Sequence, residues 1–291
     1  MAAVAAVGSY SSIELLNSPG STLLLNFALL LCTMKISVTF FSSLLFFNIA
    51  GAQDNYEIQV YSSPTQTKGS TMFELHSNFT FNGEKNVIDG VRPGNHALHE
   101  TLEITQGITS NFEIGFYFFT NYTNGYGYRY VGSHIRPRVS VPEKWNWPVG
   151  VSLSTEIGFQ SSEYSRETWS IEIRPIVDKQ IDKVYISFNP TFGIGLKGVS
   201  DHTPSFEPNI KTSYSFNRFG LGLEYYGDIG QLDNVPRFSE QNHALFAVAD
   251  LYINPKWEVN FGPGWGLTKA TDLFVFKIIA GRRISWKKTH K

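Results

Sequence analysis

Eleven ionisable side chains share one placement in this sequence: Glu74, His76, Glu103, Arg136, Arg138, Glu156, Glu172, Arg174, Glu207, Lys211 and Glu224 all sit on the polar parity of segments whose other parity is large and apolar. In an extended chain residues i and i+2 share a face, so each such segment has one greasy and one charged side. If the charged sides converge on an enclosed space, acids and bases must pair there, because an unpaired buried charge is too costly. Two kinds of chemistry follow: a salt-bridge network filling a small lumen, or a charged lining for a polar or amphipathic solute.

Other reactive groupings are poorer. His96 and His99 precede Glu100 in a His-x-x-His-Glu string. That spacing converges on a helix but sets the two rings on opposite faces of a strand, so a rim position at the start of a strand is expected and no metal site. A lipolytic barrel needs Ser and His on one parity, as His-x-Ser, with a group to orient the imidazole. No His-x-Ser occurs, and the adjacent pairs His76-Ser77 and Ser133-His134 face opposite ways. No enzyme activity, metal or cofactor is expected. The sequons Asn78-Phe-Thr80 and Asn121-Tyr-Thr123 matter only in a eukaryotic secretory protein, and both read as chance.

The elements that position the eleven residues are best seen from His134 to Gln160. In the first arm Ile135, Pro137, Val139 and Val141 alternate with His134, Arg136, Arg138 and Ser140. In the second, Val149, Val151, Leu153, Ile157 and Phe159 alternate with Ser152, Ser154, Glu156 and Gln160. Between them Pro142 to Pro148 carries Trp145 and Trp147, a turn suited to a membrane–water boundary. The unit reads as a hairpin of a transmembrane β-barrel. Ten further segments alternate likewise: 70–81, 96–107, 112–120, 168–178, 183–194, 205–216, 219–228, 243–253, 257–266 and 272–284. The predicted total of twelve is even, as single-chain bacterial barrels require, and about eleven residues tilted near 45° span roughly 25 Å of apolar band. The rival is a soluble β-sandwich or barrel with the apolar parities turned inward. Alternation cannot choose the sign, but strand length and Trp and Tyr at strand ends favour lipid outside.

Composition agrees. Charged residues are 17% and aromatics 15%, with 25 glycines, a combination natural to strands that face lipid and lumen by turns. The 24 basic and 25 acidic residues leave no footprint for nucleic acid. Residues 34–52 have a basic start, an apolar middle and an Ala50-x-Ala52 end, the anatomy of a cleavable signal peptide, which puts the mature start at Gln53. Residues 1–33 then read as an extension upstream of the true start at Met34. Cys32 lies before the cut, so the mature chain is expected to have no disulfide or thiol chemistry. Residues 53–69 form a polar lead-in, 70–286 the barrel and 287–291 a basic tail.

Several stretches carry a family likeness: Tyr56-Glu-Ile-Gln-Val-Tyr61, Glu74-Leu-His-Ser-Asn-Phe79, Asn95-His-Ala-Leu-His-Glu-Thr-Leu-Glu103, His134-Ile-Arg-Pro-Arg-Val139, Trp145-Asn-Trp-Pro-Val-Gly-Val151, Glu172-Ile-Arg-Pro-Ile-Val-Asp-Lys179 and Trp257-Glu-Val-Asn-Phe-Gly262. In these the chain resembles the bacterial outer-membrane transporters named for the MetA pathway of phenol degradation, over residues 54–284. The resemblance implies an outer-membrane barrel admitting small hydrophobic or aromatic compounds and supplies no catalytic residues. Such barrels end on an aromatic residue read by the assembly machinery; here Trp286 has the right parity and a basic tail follows it. The expected function is a passive channel in the outer membrane of a Gram-negative bacterium, its partners lipid, the assembly machinery and an unknown solute. Loops 82–95, 121–129 and 229–241 are its candidate gates. The alternative is a closed structural or adhesive barrel without transport.

Overall fold

The computed structural model describes residues 55–199 and 202–286. Twelve strands are β1 (Ser70–Asn82), β2 (Ala97–Gly107), β3 (Phe112–Thr123), β4 (Gly127–Ser140), β5 (Gly150–Gln160), β6 (Glu167–Ile181), β7 (Val184–Gly198), β8 (Ser205–Ser215), β9 (Phe219–Asp228), β10 (Asn242–Leu251), β11 (Trp257–Gly266) and β12 (Phe274–Ser285). Each pairs with its neighbours in sequence, and β1 pairs antiparallel with β12, so the sheet closes on itself. Closure leaves no edge, which is what lets a sheet stand in a medium without water. Among the described residues no helix is long and apolar enough to cross a membrane. The predicted signal peptide, upstream extension and basic tail lie outside the described residues.

The sign of the alternation is settled by exposure. In β2, Leu102 is 41% exposed while its neighbours Thr101 and Glu103 are 0% and 1% exposed. The same holds around the wall, with Phe116, Phe118, Val139, Leu153, Leu221 and Ile278 outside and His76, Arg136, Arg138, Glu156 and Lys277 inside. A soluble barrel would have the reverse. Exposed rings gather at both ends of the wall. Trp145, Trp147, Trp257 and Trp286 lie at the rim of short turns. At the rim of long loops Tyr122 meets Tyr128, and Phe274 lies between Phe81 and Trp265. An apolar band between two aromatic girdles is the exterior of a barrel that crosses a bilayer.

One predicted gate shrinks. β3 and β4 pair as far as Thr123 and Gly127, so the 121–129 loop is a three-residue turn, 124–126. Tyr122 and Tyr128 face each other across the two strands as an outward pair of a continuing ladder, and of the two asparagines that suggested a loop Asn121 is an inward position while Asn124 makes the turn.

Leu102→Arg, at the middle of the outer face of β2, is expected to destabilise the barrel by about 2–4 kcal/mol. Reversible urea unfolding in lipid vesicles measures it.

Candidate functional site

The lead-in is not a tail outside the barrel. Residues 55–69 form no strand, and they run through the lumen as an extended strap from the long-loop rim to the short-turn rim. At the first end Asn55 donates to Asp272 in the β11–β12 loop at 2.8 Å. At the other, Gly69 donates to the carbonyl of Gly107, the last residue of β2. A side chain at Gly107 would press on the carbonyl of Gln66, 2.6 Å from where its Cβ would stand, so the strap leaves over a glycine.

An extended segment inside a closed barrel faces a wall whose backbone groups are already used in the ladder, so its own must turn largely to side chains. Many do. Asn78 donates to the carbonyl of Asn55, Thr101 to that of Tyr56 and Lys277 to that of Ile58. Asn189 on β7 acts like a strand partner for Tyr61, accepting from its N–H at 2.7 Å and donating to its carbonyl at 3.1 Å, where Ser187 donates too. Arg138 donates to the carbonyls of Ser62 and Pro64, and Asp178 accepts from the N–H and hydroxyl of Ser63. Apolar contacts complete the seat. Ile58 and Val60 pack with Tyr226, Phe246, Val248 and Val275, while Tyr56 packs with Tyr117, Phe119 and Val131.

Charges converge around Tyr61. Its ring lies 5.0 Å from the guanidinium of Arg136, 5.8 Å from that of Arg138 and 4.7 Å from that of Arg174. Its hydroxyl meets Glu57 on the strap and the Tyr117 hydroxyl on β3. Cations over an aromatic face are attracted to it, most strongly when desolvated. Behind this cage Arg136 pairs with Glu103 at 2.6 Å and Glu113 at 3.1 Å, and Arg138 pairs with Glu113 at 2.8 Å. A second group joins Glu224 to Lys277 and, at 3.0 Å, to Lys211, which also reaches Asp250 at 2.9 Å.

All eleven residues singled out in the sequence point into the lumen, but they do not form one cluster. Glu103, Arg136 and Arg138 belong to the first group, with His76 3.5 Å from Glu103. Glu224 and Lys211 belong to the second. Arg174 and Glu172 pair at 2.6 Å, and Glu156 pairs with His134. Glu207 accepts from Ser205, and Glu74 stands opposite Glu103 in the β1–β2 register. His96 immediately precedes β2 and His99 is its third residue, facing the lumen edge-on to Tyr56. Among the described residues no cluster could hold a metal ion.

Sequence reasoning missed Glu113 and Lys277, both fully buried partners of the two groups. They share the polar parity of 112–120 and 272–284, so alternation alone could have found them. Glu57 and Tyr61 could not have been found that way, because they lie outside every wall strand.

Between the strap and the wall is a cavity of about 130 Å³ on the long-loop side, lined by Glu57, Gln59, Glu172, Arg174, Glu207, Asn209, Tyr226, Gly227, Asp228 and Asn242. Four carboxylates there face one guanidinium.

No protein-family model and no curated protein matches this chain. Among solved structures it is similar to the porin NanC at 10% identity, over 74% of this chain and all of that one, with a TM-score of 0.48. The porin KdgM gives 10% identity over 74% of this chain and 99% of that one, with a TM-score of 0.46. Omp33 of Acinetobacter baumannii gives 12% over 75% and 99%, with a TM-score of 0.41. The barrel is established by its own strand pairing, not by these weak likenesses.

Arg136→Ala leaves Glu103 without its strongest cation in a site closed to water, and is expected to cost about 3–5 kcal/mol in urea unfolding. A second expectation concerns pH at the strap's outer end. Burial pushes the Asp272 carboxyl up from its ordinary 3.8, against the hydrogen bonds it accepts from Asn55, Glu84 and Thr80. Folding therefore favours the protonated acid: the site's contribution is fully present below pH 3.8 and is lost as pH rises through the raised value. Asp272→Asn should abolish that dependence and be the more stable protein at pH 7, read as the difference in urea midpoints between pH 4 and pH 7.

Proposed function

We propose that this protein is an outer-membrane channel for small solutes, held shut by its own N-terminal strap. The observation that carries the reading is the chemistry of the seat. The strap is a separate segment, held largely by hydrogen bonds from polar wall side chains, and the wall behind it is charged. A wall of that kind can hydrate once the strap leaves, whereas an apolar filling could not. Solute would then pass a lining whose selectivity is set by Arg136, Arg138 and Arg174 against Glu103, Glu156 and Glu172. The resemblance to the phenol-degradation transporters suggests small aromatic or hydrophobic compounds as cargo. Outer-membrane lipid surrounds the wall in this reading, and the exposed Trp286 closing the last strand serves as the aromatic mark for the assembly machinery.

An occupied lumen also suits a closed structural or adhesive barrel. Planar-bilayer recordings separate the two. The mature chain is expected to be silent or to open rarely, and deletion of residues 55–64 to give steady conductance. Arg174→Glu in that deletion background should shift ion selectivity towards cations. A deletion variant that shows heat-modifiable gel mobility, and so is folded, yet never conducts would decide for the closed barrel.

A further inference from the structure

The β6–β7 seam has a gap in its ladder. Paired residues run as far as Ile173 with Phe192 and resume at Val177 with Phe188. The register between them sets Pro175 opposite Pro190. On their other sides both residues are fully paired, Pro175 with Leu153 of β5 and Pro190 with Pro208 of β8. In an antiparallel ladder a strand's alternate residues bond to alternate neighbours, so the rung between Pro175 and Pro190 is one that should exchange two N–H···O bonds. Proline has no N–H, and neither bond can form. Proline is normally kept out of the middle of sheets for this reason. In a membrane the omission is more severe, because no water replaces the lost donors.

The next strand repeats the pattern. Pro208 shares its rung with Pro190, and beyond Asn209 the β8–β9 ladder stops. Three adjacent strands thus carry proline at one level of the wall. The outer surface around the gap is apolar, with Ile173, Val177 and Phe188 exposed. On the inner side, at the level of the gap, lies the 130 Å³ cavity, whose lining includes Arg174, next to Pro175, and Glu207 and Asn209, on either side of Pro208, with Glu172 one inward position further along β6. Across the gap Arg174 Nε donates to the Thr191 hydroxyl at 3.3 Å on the inner face.

We infer that the β6–β7 seam is a lateral doorway through which an amphiphilic amine in the bilayer places its polar head in this cavity. The lining selects the head: four carboxylates and three carboxamides against one guanidinium favour a cationic, hydrogen-bond-donating group. The cavity is small, with room for a head of modest size, while the tail stays in the seam and the lipid. The freed carbonyls of Pro175 and Pro190 offer acceptors on the way. This route runs sideways and does not require the strap to withdraw, so it stands or falls apart from the gated channel.

The test uses the mature chain in phosphatidylglycerol vesicles, whose heads carry no nitrogen cation to compete. The probe is a long-chain primary amine with a diazirine near its head, and labelled residues are mapped by mass spectrometry after irradiation. Ile173→Cys with Phe192→Cys, oxidised, staples the seam from outside without touching the cavity; Phe73→Cys with Ile104→Cys staples β1 to β2 as a control. Labelling at Glu172 and Glu207 is expected in the parent and the control. It should fall at least tenfold in the stapled seam and return on reduction, and the analogous alcohol probe should label at least tenfold less than the amine. The pair Pro175→Val with Pro190→Val, which restores the rung, should weaken labelling in a protein of unchanged gel mobility. Cavity labelling that ignores the staple would mean access from the rim and overturn the doorway. Absence of cavity labelling in the parent, or equal labelling by the alcohol, would overturn the site or its preference for amines.

Discussion

A charge on the inner wall of this barrel has nowhere to send its field except into the lumen. Outside stands an apolar band, so every cation inside needs an anion or a polarisable ring inside, at hydrogen-bond range. Arg136, Arg138 and Arg174 stand on two strands, and their anions alone do not fill the space between them. Tyr61, reaching in on the strap with Glu57 beside it, occupies that centre. The cage explains why the segment before the first strand turns back through the barrel rather than trailing from its rim. Without the strap the three guanidiniums would face open lumen; without them the strap would lose the cationic groups that ring Tyr61.

The strap and the wall solve the backbone problem differently. The wall satisfies its N–H and C=O groups through neighbouring strands. The strap has no neighbouring strand and borrows side chains, with Asn189 standing in for a strand edge and Lys277, Thr101 and Arg138 capping single carbonyls. Side-chain partners can be exchanged for water one at a time, while a ladder yields only as a unit. That difference makes the strap the one part of the lumen held without a ladder. The proline gap between β6 and β7 is where the shell departs from its own rule.

What could be read from the sequence and what could not divide along the range of the interactions. Twelve segments, their number, parities and most boundaries follow from local patterning, because a two-residue period is set by the pleat and survives any tertiary arrangement. Glu113 and Lys277 were within reach of the same rule. The 121–129 stretch misled because Asn and Gly mark turns on average, whereas here Asn121 faces a wet-type lumen and the ladder simply continues. The lead-in was legible only as polar.

By itself, then, the sequence determined the strands, the two unlike faces of each and the set of charges that must share a side. Tertiary structure alone decided which face looks outward, since alternation is symmetric under exchange of inside and outside until the sheet closes. It alone brought Tyr61 between three arginines from two strands, and set Pro175 opposite Pro190, because both depend on register between segments far apart in the chain. A two-residue period carries no record of such register; only closure of the barrel creates it.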